Sequence, residues 1–212
     1  MIICIIGKTG TGKSTIAKEL SKELGIPLIV SHTSRPMRSN EINGKDYYFV
    51  YDEYFEKHKS EFIDLREYTV ANGCKWKYGI HKKSIKRGKD YIAVVDVIGF
   101  ENLSKHYNTR AIILESDNDL ILKRLNQRGD DKKEIERRLK DDEIKIDNFL
   151  NRIPITKRRV VFNNDNLHIA ENNCIDIINS FKLERASKFN LIEANIWIGL
   201  SIIITIFYLL LK

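Results

Sequence analysis

Gly7-Lys8-Thr9-Gly10-Thr11-Gly12-Lys13-Ser14 decides the fold, because it fits the phosphate-loop pattern G-x-x-x-x-G-K-[ST] and follows directly on the apolar run Ile2 to Ile6. A buried strand, a glycine-rich turn and a helix-forming segment (Ser14 to Leu24), in that order, converge backbone N–H groups on a polyphosphate. Gly7, Gly10 and Gly12 permit backbone angles and close approaches that side chains would block. The helix beginning near Lys13 adds the positive end of its dipole. Lys13 is expected to reach the β- and γ-phosphates of ATP and the Ser14 hydroxyl to ligate Mg²⁺, with Lys8, Thr9, Thr11 and Thr15 completing the binding loop.

The remaining 212-residue composition narrows the setting. The length suits one full domain with a small insert. A net charge of +7 suits anionic nucleotides and would equally suit a nucleic acid or a membrane surface, but no basic block stands out, so no nucleic-acid partner is expected. Cys4, Cys74 and Cys174 are odd in number and lack C-x-x-C spacing, which reads as reduced thiols in a cytoplasmic setting without a cysteine metal site. The first strand reaches the phosphate loop too soon for an N-terminal targeting signal.

After Gly25-Ile26-Pro27 and a short strand from Leu28 to Val30, Ser31-His32-Thr33-Ser34-Arg35-Pro36-Met37-Arg38 sets two arginines three residues apart in a proline-interrupted loop. Guanidinium groups grip phosphate through paired N–H donors, so this loop suggests a second phosphate, on an acceptor. Asn43-Gly44, between the extended segments of Glu41 to Val50, reads as a hairpin turn. Tyr91 to Asp96 reads as a buried parallel strand with Asp96 at its carboxyl end, where open α/β sheets bind ligands. A helix follows over Asp117 to Arg128, and a charged helix resumes at Lys132 and runs to about Leu150. Val160 to Phe162 supplies a last strand, ending in the polar run Asn163-Asn164-Asp165-Asn166.

Taken together, these stretches resemble the guanylate kinase family, which carries S-x-T-x-R-x-x-R and then G-E-x-N-G-x-D-Y-x-F behind its phosphate loop. The likeness continues through Phe62-Ile63-Asp64, Tyr78-Gly79, Val95-Asp96, Arg124-Leu125, Arg128-Gly129 and Arg137-Arg138-Leu139, covering roughly residues 2 to 182. It implies an α/β protein: a P-loop NTPase three-layer fold with a parallel sheet, an inserted small monophosphate-binding β domain and a helical lid. The implied kinase domain is 1–183, with a core of 1–31 and 82–183, an insert of 32–81 and a lid of about 128–150. The implied activity is ATP-dependent phosphorylation of a nucleoside monophosphate, GMP foremost, giving ADP and GDP with Mg²⁺. Ser31, Arg35, Arg38, Tyr47 and Tyr78 would face the monophosphate, Asp64 and Asp96 the guanine edge, and Arg128 and Arg138 would join Lys13 in catalysis.

The departures fall on the base side. Asp64 stands where the family usually has Glu, Ile80 where it has a hydroxyl residue, and Val94 where it often has a second aspartate; about five residues are inserted within Glu67 to Lys77. A site lacking a polar partner discriminates less, so a kinase acting on another nucleotide or a sugar phosphate is the first alternative. A non-catalytic interaction module is the second, disfavoured because Lys13, Ser14, Arg35 and Arg38 are all retained.

The uncharged segment from Ile196 to Leu211 ends at Lys212 and follows a linker over 184–195. At 1.5 Å per residue its sixteen residues span roughly 24 Å, short of the ~30 Å hydrocarbon core. With Trp197 and Tyr208 near its ends and Lys182, Arg185 and Lys188 upstream, 196–211 reads as a transmembrane tail that anchors a cytoplasmic catalytic domain.

Overall fold

The computed structural model describes residues 1–164 and 166–210, leaving aside the side chains of 193–195 and 197–210. It divides into two compact units, Met1–Cys174 and Ile175–Lys212.

The first unit is organised by a five-stranded, wholly parallel sheet in the order β2-β7-β1-β8-β9: β1 Ile2–Gly7, β2 Leu28–Ile29, β7 Tyr91–Val94, β8 Thr109–Glu115 and β9 Arg158–Phe162. The central strands are continuous apolar runs because helices cover both faces of such a sheet. Ile3, Ile5, Ile112 and Ile113 are fully enclosed. Helix α1 (Lys13–Leu24) leaves β1 through the phosphate loop and buries Ile16, Ala17 and Leu20, the inward stripe of a 3.6-residue repeat. It stops at Gly25, whose left-handed φ of 62° suits glycine. Helix α3 (Val97–Ser104) follows β7, capped by the Asp96 side chain accepting from the Gly99 N–H; α4 (Asn118–Gln127) and the long α5 (Lys132–Arg152) follow β8.

Between β2 and β7 the chain builds a second, four-stranded sheet in the order β4-β3-β6-β5: β3 His32–Thr33, β4 Tyr48–Phe49, β5 Phe62–Thr69 and β6 Lys75–His81, with α2 (Asp52–Lys57) on the way. β5 and β6 form an antiparallel hairpin that extends to a turn at 70–74. The expected hairpin at Asn43-Gly44 is not formed, since β4 pairs with β3 in parallel. The turn itself exists, with Gly44 at φ 79°, but side chains close it locally: Asp46 Oδ2 accepts from the Ile42 N–H at 2.8 Å and Asn43 Oδ1 from the Phe49 N–H at 3.0 Å. Backbone donors satisfied by such side chains are withdrawn from a strand ladder.

Helix α6 (Leu167–Leu210) carries the chain from the first unit into the second, and residues 184–195 lie within it. The transmembrane tail is corrected here: among the described residues no helix is long and apolar enough to cross a membrane. A spanning helix needs about 20 consecutive apolar residues, and this uncharged stretch counts sixteen in sequence. Of the tail read over 196–211, residue 211 and the side chains of 197–210 lie outside the described residues.

Candidate active site

A cavity of about 430 Å³ opens at the carboxyl ends of the parallel strands, between the phosphate loop, the second sheet and α5. Two close approaches shape its phosphate loop. A side chain at Gly7 would lie 2.4 Å from the Leu114 carbonyl oxygen, so only glycine lets the loop turn away against β8. Gly12 has φ 89°, and a Cβ there would lie 2.6 Å from Asn163 Nδ2. That amide, at the end of β9, donates to the Thr11 carbonyl at 2.8 Å and props the loop from below. No side chain caps α1, so its first N–H groups remain available to an anion. The Lys13 ammonium folds back over the loop, donating to the Gly7 and Lys8 carbonyls at 2.7 Å each. Burial lowers its pKa to about 8, against the pull of Asp142. Ser14 and Thr15 are exposed and line the cavity.

The facing wall comes from the loop after β2. Arg35 is 4 % exposed, pairs with Glu41 at 2.7 Å, donates to the Pro36 carbonyl at 2.6 Å and lies 5.5 Å from the centre of the Tyr47 ring. Glu41 also accepts from the Arg38 N–H at 2.8 Å, so one carboxylate aims both arginines. Ser31, Arg35, Arg38, Tyr47 and Tyr78 all line the cavity that Lys13 enters.

Strand alternation puts Asp64, Arg66 and Tyr68 of β5 on one face, opposite Ile80, Tyr78 and Trp76 of β6. At the deep end Ile80 is wholly enclosed in the core and Asp64 is 1 % exposed; neither lines the cavity. Arg66 lies between the two carboxylates that the family resemblance assigns to the base: Nη2 stands 2.7 Å from Asp64 Oδ2, and Nη1 donates to Asp96 Oδ1. Asp96, which does line the cavity, accepts also from the Tyr68 hydroxyl and from the Gly99 N–H at 2.9 Å. Burial works against the Arg66 charge, but Asp96 and then Asp64 outweigh it and raise its pKa; burial likewise opposes the Asp96 carboxylate, and Arg66 holds it low.

Helix α5 forms another wall of the cavity. The Asp142 carboxylate accepts the Thr9 N–H of the phosphate loop at 2.7 Å, and Glu143 meets Lys8 at 3.1 Å. Arg128 is paired with Asp130, while Arg137 and Arg138 share Glu134 at 2.9 and 2.6 Å. The tip of the β5–β6 hairpin touches the same helix: Glu134 accepts the Ala71 N–H at 2.8 Å, and the Arg138 guanidinium lies 6.0 Å from the Trp76 ring centre. Arg124 also reaches the cavity, but its guanidinium is tied to Ser116 Oγ and the Asn163 and Asn164 carbonyls.

A family model described as guanylate kinase matches residues 1–175. The chain belongs to the guanylate kinase family. It is 32 % identical over 177 residues to the guanylate kinase of Fusobacterium nucleatum, covering 79 % of this chain and 94 % of that one. It is 35 % identical over 142 residues to that of Porphyromonas gingivalis, covering 63 % and 74 %. The crystal structure of guanylate kinase from Anaplasma phagocytophilum shares the fold, with a TM-score of 0.61 at 22 % identity over 85 % of each chain. Within this family member, sequence reasoning left out Arg66, Tyr68, Trp76, Arg137 and Asp142, all of which line the cavity. Arg66 and Tyr68 could have been found by extending the two-residue repeat onward from Asp64. Asp142 carried no signal beyond being one charge among many on a charged helix.

Proposed function

We propose that this protein transfers the γ-phosphoryl group of ATP to the phosphate of GMP, giving ADP and GDP. The observation that carries it is that one cavity is lined both by the Lys13 cradle and by the Arg35 and Arg38 pair facing it. The acceptor is already an anion, so no general base is required: a phosphate oxygen of GMP bonds to the γ-phosphorus, the bond to the bridging oxygen breaks, and its electron pair leaves with ADP. Alignment and positive charge supply the catalysis. Lys13 would leave the Gly7 and Lys8 carbonyls for the β- and γ-phosphates, while Arg35, Arg38, Tyr47 and Tyr78 hold the acceptor phosphate near Ser31.

Exposed in the cavity at the head of α1, the Ser14 hydroxyl is a hard oxygen donor of the kind Mg²⁺ takes. Among the described residues no group of three His, Cys, Asp or Glu side chains could hold a metal, which fits a cation carried in by the nucleotide. When bound, Mg²⁺ neutralises charge on the β- and γ-phosphate oxygens. Arg128 and Arg138 would exchange Asp130 and Glu134 for the transferring phosphoryl group, and Asp142 would release the Thr9 N–H to ATP. The test is ADP formation with GMP, AMP, UMP and dTMP as acceptors. Turnover with GMP is expected; ATP consumption that no monophosphate stimulates would reject the kinase reading.

A further inference from the structure

The base end of the cavity presents the wrong kind of group for carboxylate recognition of guanine. A carboxylate reads the guanine N1–H and N2–H₂ only through oxygens free to accept them. Here Asp96 Oδ1 accepts from Arg66 Nη1 and the Gly99 N–H, and Oδ2 from the Tyr68 hydroxyl. Asp64 Oδ1 accepts from Asn102 Nδ2 at 2.9 Å; Oδ2 makes no hydrogen bond, but it is enclosed 2.7 Å from Arg66 Nη2 and out of reach of the cavity. Withdrawing Arg66 would strand the enclosed Asp64 carboxylate without its counter-charge, which is strongly destabilising, and would free the partly exposed Asp96 beside it. The arginine is also built in: its side chain is 9 % exposed, and a Cβ on Gly99 would lie 2.9 Å from Nη1, so the bare glycine backbone makes its seat. Arg66 lines the cavity: both Nη1 hydrogens go to Asp96 and Tyr68, Nε is buried without a hydrogen-bond partner among the described residues, and Nη2, beside Asp64, keeps a second N–H for a ligand.

Resting on the GMP kinase reading above, we propose that Arg66, held by Asp64 and Asp96, is the residue that selects the acceptor's base, by donating from Nη2 to the 6-oxo oxygen of a purine monophosphate. Arginine paired with O6 and N7 is the commonest specific contact to guanine. Adenine offers an amine where O6 would be and sets donor against donor. Hypoxanthine offers the same O6 and N7 as guanine and lacks only the 2-amino group. The site therefore recognises the 6-oxopurine and is nearly blind to the 2-amino group, the reverse of carboxylate recognition.

The experiment is steady-state phosphorylation of GMP, IMP and AMP by the full chain and by Arg66→Met. For the unaltered protein, kcat/KM for IMP is expected within about tenfold of that for GMP, and AMP at least about 1,000-fold lower, since a site built to hydrogen-bond a group rejects the analogue without it. GMP favoured over IMP by about 1,000-fold or more would overturn the inference, whatever the fold of the variant. In Arg66→Met the preference for GMP over AMP is expected to fall at least tenfold with the KM for ATP unchanged; an intact preference would also overturn it. If no monophosphate is phosphorylated, the kinase reading fails and this inference with it; GMP turnover with IMP rejected removes the inference alone.

Discussion

At the phosphate end of the cavity three donors rest on partners that a phosphate can replace, Lys13 on two backbone carbonyls, Arg38 4.0 Å from Asp130 and the Thr9 N–H on a carboxylate of α5, while the buried Arg35 is paired with Glu41. At the base end Arg66 is locked to two acidic side chains at once, one of them fully enclosed. The first arrangement is poised to exchange partners and the second to keep them. Removing one member of a buried pair costs about 3–5 kcal/mol, whereas a carbonyl given up for a phosphate is replaced by a stronger, charge-assisted bond. Ligand exchange and rigid selection are thus assigned to opposite ends of one cavity.

The largest effect is expected at Lys13. Lys13→Ala is expected to lower kcat by about 1,000-fold or more while GMP binding, read by calorimetry, changes little, because the lost charge acts on the transferring group. Retained turnover would show that the exchangeable end is not where phosphoryl transfer is assisted. Next comes Arg38→Ala, which removes a charge-assisted contact worth about 1.5–3 kcal/mol and should raise the KM for GMP about 10- to 100-fold with little change in melting temperature. An unchanged KM for GMP would remove Arg38 from the acceptor site.

A smaller effect of opposite sign is expected at α5. Asp142→Ala takes away the acceptor that competes with ATP for the Thr9 N–H, so ATP should bind about 3- to 10-fold more tightly, the value of one ordinary hydrogen bond. Weaker binding would mean that Asp142 helps to hold the nucleotide. The smallest signal is a proton. With the Lys13 pKa lowered to about 8 by burial, the ammonium is charged below that pH and progressively neutral above it, and bound phosphates favour the charged form. ATP binding should therefore take up close to one proton at pH 9 and almost none at pH 6.5, seen as a buffer-dependent binding enthalpy that Lys13→Ala abolishes.

The chain's own order of residues was enough for β1, the loop and α1, because a glycine-rich turn between an apolar run and a helical repeat is specified within about twenty residues. It was enough, too, for a hairpin through residues 67–77, which the β5–β6 pairing forms. It misled at Asn43-Gly44, where turn chemistry is real but Asn43 and Asp46 satisfy the backbone themselves. It misled again over 196–211, where an apolar stretch of marginal length was read as a membrane anchor.

Spacing between near neighbours in the chain thus specifies the phosphate loop, the parallel core and the arginine loop facing it. Only the tertiary structure decided that Arg66 joins Asp64 to Asp96, thirty residues beyond it, and that Asp142 reaches back to Thr9. Those pairings depend on which elements pack together, and a charge pattern along a strand or a helix cannot say which partner the fold will set against it.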